Sequence, residues 1–353
     1  MLKYEIMTFV RGSSMRLVEC GKRMRYFFSR NVAIRGIKRI DKRKIPSGDG
    51  EIRLFAVMRN ESLRLPYFFK YYNDLGVNRF FLIDNNSSDD SRDIALSIEN
   101  LHLYSTSLSY KSHWYWIEHL VSKYGRNHWC VVVDIDELLA YPNVEQLKLK
   151  DVCCYLDTFG ANALRSVLLD LYPSGPLESG ILRSEHNPFS ILTHFDHDIK
   201  KTVYNFFDKS NWKHFRQETY VGGVRERIFG KNLPCHLSKI SLFKNNGKVY
   251  LTPGMHALNG GDFPDISGIT FHTKFLSDFI DEVDEEVQRE VHYGDAIMYK
   301  IFQKTIRDRK QLSFFSENSI RYRNSSQLVS LGLMTTSTRF DDFGKSKYGN
   351  TNI

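Results

Sequence analysis

The chain has 353 residues, of which 42% are hydrophobic and 14% are aromatic. This composition is sufficient for a hydrophobic core and excludes an intrinsically disordered protein. The formal net charge at neutral pH is +8, yet residues 1–44 alone hold 13 Lys and Arg against 3 Asp and Glu, which gives +10 and leaves −2 for the rest. Five cysteines without a CxxC pair argue against a disulfide framework and favour a reducing compartment.

The first predicted element is a basic arm with its linker, residues 1–50, which ends in the turn-forming segment 46–50. Such charge is typical of segments that bind anionic lipid or nucleic acid, and the alternative is a solvated tail. Nucleic acid is not expected as a partner, because the arm has no known motif and no interleaved aromatic platforms. No apolar run approaches the roughly 20 residues that span a bilayer, and no signal-peptide core is present. We therefore expect a cytoplasmic protein that rests peripherally on the inner face of the membrane through residues 1–44.

Strands and helices alternate in the next predicted unit, residues 51–150. Short apolar runs predict strands at 52–57, 79–83, 101–104 and 129–133. Apolar residues at helical spacing predict helices at 62–76, 89–99 and 114–124 between them, with Gly76 as a stop signal. This alternation predicts an α/β fold with a doubly wound, mostly parallel sheet.

The alternation is lost beyond residue 150, where the sequence becomes rich in loops. We predict that residues 151–310 complete the same domain and shape its pocket, and that residues 311–353 form a C-terminal tail. Within this half, helices are expected from about 275 to 293 and onward through 306.

Acidic residues follow the last of the predicted strands, where Asp134 and Asp136 come directly after the apolar run. Ligands of parallel sheets bind beyond the carboxyl ends of the strands, and residues i and i+2 of an extended chain point the same way. The two carboxylates are therefore expected to converge on Mg²⁺ or Mn²⁺ together with substrate phosphates. The alternative is a pair of solvent-facing loop acids. A second D-x-D, at Asp196 and Asp198, follows no recognisable strand. For these two acids we therefore favour a structural role over a metal site.

The two earlier strands also end in polar residues. Asp84 ends the strand at 79–83 and precedes a series of turn formers, and Asn60 and Glu61 follow the strand at 52–57. A carboxylate at this place can accept hydrogen bonds from a ribose or a pyrimidine base. The alternative for Asp84 is an Asx turn that caps the next helix.

The motifs at these strand ends resemble those of the bacterial family 2 type glycosyltransferases, which have the GT-A fold. The resemblance covers nearly everything from about residue 50 to 310. It is carried by Val57-Met-Arg-Asn-Glu61, Leu65-Pro-Tyr-Phe-Phe69, Leu75-Gly-Val77, Ile83-Asp-Asn-Asn-Ser-Ser-Asp89 and Val133-Asp-Ile-Asp-Glu137, and later by Leu168-Leu-Asp-Leu-Tyr-Pro173, Gly222-Gly-Val-Arg-Glu-Arg227, His256-Ala-Leu258 and Phe271-His-Thr-Lys-Phe-Leu-Ser-Asp278.

The resemblance implies a metal-dependent enzyme of polysaccharide biosynthesis that moves a sugar from a nucleotide diphosphate donor, a UDP- or GDP-sugar, to a glycan or lipid-linked acceptor with inversion. It implies that Asn60, Glu61 and Asp84 line the nucleoside pocket. By the same resemblance, Asp134 and Asp136 hold the metal, so that Asp136 also has a catalytic role. Asn86 stands where these enzymes commonly have Gly, but Asn tolerates the left-handed backbone that such a turn needs.

Several residues of the second half complete the predicted site. Asp170 is the first candidate for the base that deprotonates the acceptor, since burial would raise its pKa, and the alternative is a buried acid bonded to backbone or Arg. His272 is a candidate third metal ligand or else a core histidine. Arg225 and Arg227 are candidates for binding the diphosphate, with surface placement as the alternative.

Two other function classes are compatible with parts of the pattern. The first is a non-catalytic protein of the same fold that binds a nucleotide sugar or glycan. The second is a nucleotidyltransferase, but this enzyme would need a glycine-rich phosphate loop after the first strand, and residues 58–62 contain no glycine.

Overall fold

The computed structural model describes residues 2–46, 48, 50–209, 211–231, 233, 235–309 and 311–348. Its helices are α1 (Leu2–Arg35), α2 (Leu65–Leu75), α3 (Ser91–Ser97), α4 (His113–Tyr124), α5 (Leu149–Phe159), α6 (Gly223–Phe229), α7 (Phe279–Arg289), α8 (Tyr293–Arg307), α9 (Ser325–Ser330) and α10 (Thr338–Tyr348). Its strands are β1 (Lys38–Arg39), β2 (Ile52–Met58), β3 (Arg79–Asp84), β4 (Leu101–Ser105), β5 (Trp129–Val132), β6 (Glu137–Ala140), β7 (Ala163–Asp170), β8 (His194–Phe195), β9 (Ile199–Asp208), β10 (Lys213–Gly222), β11 (Ser238–Lys244), β12 (Tyr250–Leu251), β13 (Leu258–Asn259), β14 (Gly268–His272) and β15 (Ile320–Arg321).

A large central sheet dominates the mixed α/β fold. Its nine strands lie in the order β1-β4-β3-β2-β5-β11-β7-β14-β6. Six of them run in one direction, and β1, β11 and β6 run in the opposite one, so the sheet is mostly parallel. Side chains of β2 alternate between the two faces, with Leu54 and Ala56 in one core cluster and Phe55 and Val57 in the other. The sheet is therefore buried on both faces, as continuous apolar strands require.

The predicted alternation in the first half is confirmed. β2 to β5 are parallel, and α2, α3 and α4 connect them within a few residues of the predicted bounds. Gly76 ends α2 with a φ of 96°, a left-handed conformation that suits glycine. The predicted helices of the second half are also present as α7 and α8.

The basic N-terminal segment is joined to the domain. Tyr26 and Ala33 of α1 are buried, and Arg30 pairs with Glu118 of α4 at 3.1 Å. β1 then adds an antiparallel edge strand beside β4. Asp41 accepts a hydrogen bond from the Leu103 N–H at 3.0 Å, which fixes the chain after β1 against β4. The N-terminal segment thus contacts α4 through one side of α1 and the sheet through β1.

Four strands from beyond residue 133 extend the same sheet. β7, β11, β14 and β6 continue it past β5, although only loops and helices were predicted for most of this region. Their facing side chains include a buried set of hydroxyls: Ser166 Oγ lies 2.7 Å and Ser241 Oγ lies 2.9 Å from Thr270 Oγ1. These polar residues interrupt the apolar runs by which strands are predicted from sequence.

Two tyrosines of α2 cover the outer side of the edge strand β6. The Tyr72 hydroxyl donates to the Glu137 carbonyl oxygen at 2.9 Å and accepts from the Leu139 N–H at 3.1 Å. The Tyr71 hydroxyl donates to the Leu139 carbonyl oxygen at 2.7 Å. The side of β6 that does not face β14 therefore has its polar backbone groups satisfied by side chains.

The C-terminal third surrounds the sheet with smaller units. α6, α7 and α8 enclose an aromatic cluster that includes Phe229, Phe275 and Phe302. The segment predicted as a tail forms β15, α9 and α10, and Leu328 and Phe340 in it are fully buried. Among the described residues, no helix is long and apolar enough to cross a membrane.

Candidate functional site

The carboxyl ends of the parallel strands meet at one edge of the sheet, and polar residues stand at these ends. Asn60 and Glu61 follow β2, Asp84 ends β3, and Asp134 and Asp136 follow β5. Because β2 pairs in parallel with both β3 and β5, these residues lie on the same edge, as the strand-end rule predicted.

The second half of the chain adds residues to this edge. Asp170 ends β7 and His272 ends β14, and the two are register partners. His272 also pairs in register with Glu137 of β6, and Lys239 lies near the start of β11. We use the name edge cluster for the following set: Asp134, Asp136, Glu137, Asp170, Lys239, His272 and Lys274.

The acids after β5 lie in a tight turn, not on the extended chain assumed from the sequence. The Glu137 N–H donates to the Asp134 carbonyl oxygen at 3.1 Å, which closes the turn. Thr273 donates from its N–H at 2.8 Å and from its hydroxyl at 3.0 Å to the Asp136 carbonyl oxygen. The Asp134 side chain is 48% exposed and that of Asp136 is 14% exposed. The two carboxylates therefore lie at different depths, with Asp134 on the rim.

The His272 ring lies between two carboxylates. Its Nδ1 donates to Asp170 Oδ1 at 2.7 Å, and its Nε2 is 3.2 Å from Asp136 Oδ2. Burial opposes protonation of His272, but the charges of Asp136 and Asp170 outweigh it and raise the pKa of the imidazole. Burial also opposes ionisation of Asp136, yet His272, Lys274 and Arg64 hold the pKa of its carboxyl well below the usual range.

Asp170 was predicted to act as the base because burial would raise its pKa, but its pKa is lowered. Burial alone would raise the pKa, but Arg225 and His272 outweigh that effect and lower it to about 2. Arg225 donates to both oxygens of Asp170, each at 2.7 Å, and only 4% of the Asp170 side chain is exposed. A carboxylate so firmly ionised and enclosed is a poor proton acceptor, so the alternative of an acid bonded to Arg is the one found.

Two lysines balance the remaining negative charge of the edge cluster. Lys239 Nζ is 2.5 Å from Glu137 and 3.8 Å from Asp134. Lys274 Nζ pairs with Glu282 and lies 4.0 Å from Asp136. Burial raises the pKa of Glu137, although the Lys239 ammonium opposes the rise. The acidic motif is thus compensated by cationic side chains from β11 and from the segment after β14.

The loops after β2 and β3 are joined by hydrogen bonds. The Asn60 Oδ1 atom accepts from the Ser88 N–H at 2.8 Å, and the Glu61 N–H donates to Ser91 Oγ at 2.7 Å. Asn86 has a φ of 60°, which confirms that Asn adopts the left-handed conformation at the position where Gly is common.

Asp84 is fully buried, and both of its oxygens have partners. Oδ1 accepts from the Ser87 N–H at 2.9 Å, which is the Asx turn considered as an alternative. Oδ2 accepts from Arg92 Nη2 at 2.6 Å. Asp84 therefore fixes the loop and Arg92, and 43% of the Arg92 side chain is exposed at this edge.

Glu61 is the acid with the most unusual environment. Its Oε2 atom is buried and has no hydrogen-bond donor among the described residues, and the nearest guanidinium nitrogen of Arg64 is 3.6 Å away. Arg64 is itself bound to Asp278 at 2.8 Å. Burial raises the pKa of Glu61 to about 8 against the opposing charge of Arg64, so the carboxyl is mostly protonated at neutral pH.

A Glu61→Gln substitution should reveal this bound proton. Because the folded pKa of about 8 exceeds the ordinary 4.5, the folded protein holds a proton that the unfolded chain releases, and stability falls as pH rises between these values. Gln removes this dependence. We expect the free energy of unfolding of the variant, relative to that of wild type, to increase by about 5 kcal/mol from below pH 4.5 to above pH 8. Urea unfolding across that range measures it. The exposed Glu99→Gln change is the control, and parallel profiles for Glu61→Gln and wild type would contradict the assignment.

The two arginines predicted to bind the diphosphate have internal partners. Arg225 is 7% exposed and holds Asp170, as described above. Arg227 donates to both oxygens of Asp196 at 2.7 and 3.0 Å, so the second D-x-D is part of a structural ion pair. Neither guanidinium points its donors to open space at the edge cluster, which differs from the prediction. Among the described residues, Lys239, Lys274, Arg64 and Arg92 are cations that lie there.

The arrangement around His272 resembles the surroundings of a metal-binding histidine. Such histidines commonly donate their other ring N–H to a carboxylate, as His272 does to Asp170. The contact of Nε2 with Asp136 brings two donor atoms of the types used by Mn²⁺ to one place, with Asp134 on the rim nearby. Within the described part of the chain, no group of three or more His, Cys, Asp or Glu side chains is arranged to hold a metal ion. A neutral His272 and Asp136 would supply two ligands, and Mg²⁺ and Mn²⁺ in nucleotide sites take further ligands from phosphates and water.

Comparisons with known proteins gave no match: no protein-family model fits the chain, and no curated protein is significantly similar to it.

Some residues of the edge cluster were not predicted from the sequence. Lys239 is 4% exposed in a strand of otherwise apolar and hydroxyl side chains, and Glu137 is 1% exposed. A lone lysine inside an apolar strand is a signal for a buried ion pair, since an unpaired buried charge is costly. The sequence does not say which acid it meets, because 102 positions separate Lys239 from Glu137.

Proposed function

We propose that the protein is a glycosyltransferase of the GT-A type that moves a sugar from a nucleotide diphosphate donor to a hydroxyl of a glycan or lipid-linked acceptor. One observation carries the proposal: strand-end residues from both halves of the chain meet at one sheet edge, where Asp136 and His272 are 3.2 Å apart and Asp134 is half-exposed. The motifs that contain these strand-end residues resemble, in kind and in order, those of the family 2 type glycosyltransferases.

The roles of the residues follow from their environment. Asp136 and His272 would hold a divalent cation with Asp134, and Asp170 would orient the imidazole through Nδ1. When bound, this cation stabilises the charge that develops on the leaving diphosphate. Lys239 and Lys274 lie within 4.0 Å of Asp134 and Asp136 and contribute positive charge to the same region.

The donor side is formed by the joined loops after β2 and β3. Asn60 and Glu61 would hydrogen-bond a nucleoside, and a protonated carboxyl can donate as well as accept. Asp84 contributes by holding Arg92 and the turn. Asp170 is no longer the candidate base, because its ionised state is held by Arg225 and His272.

A panel of UDP- and GDP-sugars, incubated with and without Mn²⁺ and assayed for release of nucleoside diphosphate, tests the proposal. We expect release from one donor that depends on Mn²⁺ and is lost in an Asp136→Ala variant. Tight donor binding without release, unchanged on addition of glycan acceptors, would favour the non-catalytic binding protein. Equal and weak binding of every donor, unaffected by the substitution, would contradict both functions.

A further inference from the structure

The C-terminal half of α1 has two apolar faces, and only one of them is covered by the protein. Tyr26 and Ala33 are buried against the domain. At 100° per residue, the second face lies opposite to them and spans about 140°. Its members are large, exposed hydrophobic side chains, with exposed fractions of 68%, 55%, 72% and 48% for Met24, Phe27, Phe28 and Val32. Four of the ten exposed large hydrophobic residues found in the described chain are thus gathered on two turns of one helix, which soluble helices avoid.

Basic residues surround this apolar face. Arg23 and Arg25 are exposed and lie about 40° and 20° outside the two limits of the face, and the exposed Arg35 follows on the same side of the helix. Other basic residues of the N-terminal segment are used internally: Arg30 pairs with Glu118, and Arg39 pairs with Asp41. The exposed cations therefore belong to the surface next to Phe27 and Phe28 and are not consumed by ion pairs that hold the fold.

A cavity of about 240 Å³ opens beside the same helix, where the end of the β9–β10 ribbon approaches α1 and α4. Cations and aromatic rings line it together, among them Lys22, Arg25, Lys209, Tyr26, Tyr115 and Trp212. The Arg23 guanidinium lies 5.5 Å from the centre of the Trp212 ring. Lys22 and Tyr26 lie on the side of α1 that faces the domain, so the cavity opens away from Met24, Phe27 and Phe28 and leaves their face uncovered.

We propose that this surface docks on an anionic lipid bilayer, with Met24, Phe27 and Phe28 entering the headgroup region and the bordering arginines binding lipid phosphates. Helices with one apolar face and flanking Lys and Arg lie in the plane of such interfaces. Charge selects the bilayer over a second copy of the chain, since two copies would bring two segments of charge +10 together. The inference does not depend on the proposed sugar transfer.

Flotation of the full chain with vesicles tests the proposal. The vesicles contain phosphatidylcholine alone or phosphatidylcholine with phosphatidylglycerol. We expect the wild type to float with the anionic vesicles, less so at high salt because the charges are screened. Phe27→Ser with Phe28→Ser should lower the partition coefficient about tenfold or more, since it removes the apolar anchor. Arg23→Gln with Arg25→Gln should lower it about 25-fold on anionic vesicles only, at about fivefold per basic residue.

A matched control uses two exposed hydrophobic residues elsewhere, Ile181→Ser with Phe315→Ser, which should leave flotation unchanged. Thermal unfolding by circular dichroism checks that each variant folds, and the two α1 variants test different parts of the surface. Failure of the wild type to float with anionic vesicles, or an equal loss in the control, overturns the proposal. Sedimentation of a lipid-free dimer that the Phe27→Ser and Phe28→Ser changes dissociate would overturn it as well, because the face would then belong to a second copy.

Discussion

Replacing Asp170 by Ala is expected to lower the free energy of unfolding by about 4 kcal/mol. The substitution leaves the Arg225 guanidinium, which is 7% exposed, and the His272 ring without their shared carboxylate. An unpaired charge in such a place is far more costly than the loss of an exposed ion pair. Urea unfolding of the variant and wild type measures the difference.

The double variant Asp170→Ala with Arg225→Met provides the matched comparison. It removes both charges of the pair, and we expect it to recover part of the loss. Equal destabilisation by the single and double variants would show that the ion pair is not the cause.

The stability difference between wild type and Asp170→Ala should also depend on pH in the acidic range. The folded pKa of Asp170 is about 2, below the ordinary 3.8, so its contribution is present above 3.8 and is lost as pH falls through about 2. The difference in unfolding free energy between wild type and Asp170→Ala should therefore narrow by about 2.5 kcal/mol over that interval.

A second measurement distinguishes an effect of Asp170 on the orientation of His272 from its effect on stability. An isosteric Asp170→Asn change should weaken Mn²⁺ binding about 10- to 100-fold in calorimetry if the carboxylate orients a metal-binding ring.

An Asp134→Asn change is expected to alter the stability of the protein little and to lower its donor turnover strongly. Its side chain is 48% exposed on the rim, and its nearest cation, Lys239, is 3.8 Å away. We expect the free energy of unfolding to change by less than about 0.5 kcal/mol. Under the proposed function, donor turnover should fall about 10²- to 10³-fold, because Asp134 would help to hold the cation that stabilises the departing diphosphate.

Asp198→Asn is the control for this experiment. It makes the same substitution in the second D-x-D, where the side chain is 77% exposed and pairs with Lys200 at 3.7 Å, and it should leave turnover unchanged. Equal turnover by Asp134→Asn and Asp198→Asn would remove Asp134 from the proposed machinery, whereas unfolding of Asp134→Asn would contradict its assignment as a rim residue.

The first half of the fold was predictable because its signals are local. β2, β3 and β5 are continuous apolar runs, and Gly76 marks the end of α2. The strand-end rule then brought Asn60, Glu61, Asp84, Asp134 and Asp136 to one edge. In the second half, strands such as β7 and β14 carry inward hydroxyls, Ser166 and Thr270, whose hydrogen bonds form only after the strands meet. The local sequence therefore does not show which strands they pair with.

The charges of the site were less predictable than its position. Asp170 and Arg225 are 55 residues apart, and which cation meets which acid depends on the pairing of distant strands. The local sequence suggested that burial would raise the pKa of Asp170. Arg225, which belongs to α6, lowers that pKa instead. Asp134 and Asp136 likewise differ in depth. They lie in the turn between β5 and β6, where Thr273, the residue after β14, donates to the Asp136 carbonyl oxygen.

The tyrosine hydroxyls on β6 have a consequence for the behaviour of many copies of the chain in solution. An outer strand with unoccupied amide and carbonyl groups is a template on which another molecule can add a strand, and this is a common first step toward insoluble fibres. Tyr71 and Tyr72 occupy those groups on Glu137 and Leu139. At the opposite border the sheet ends in β1, which is two residues long and consists of Lys38 and Arg39. Both borders therefore discourage growth of the sheet from one molecule into the next.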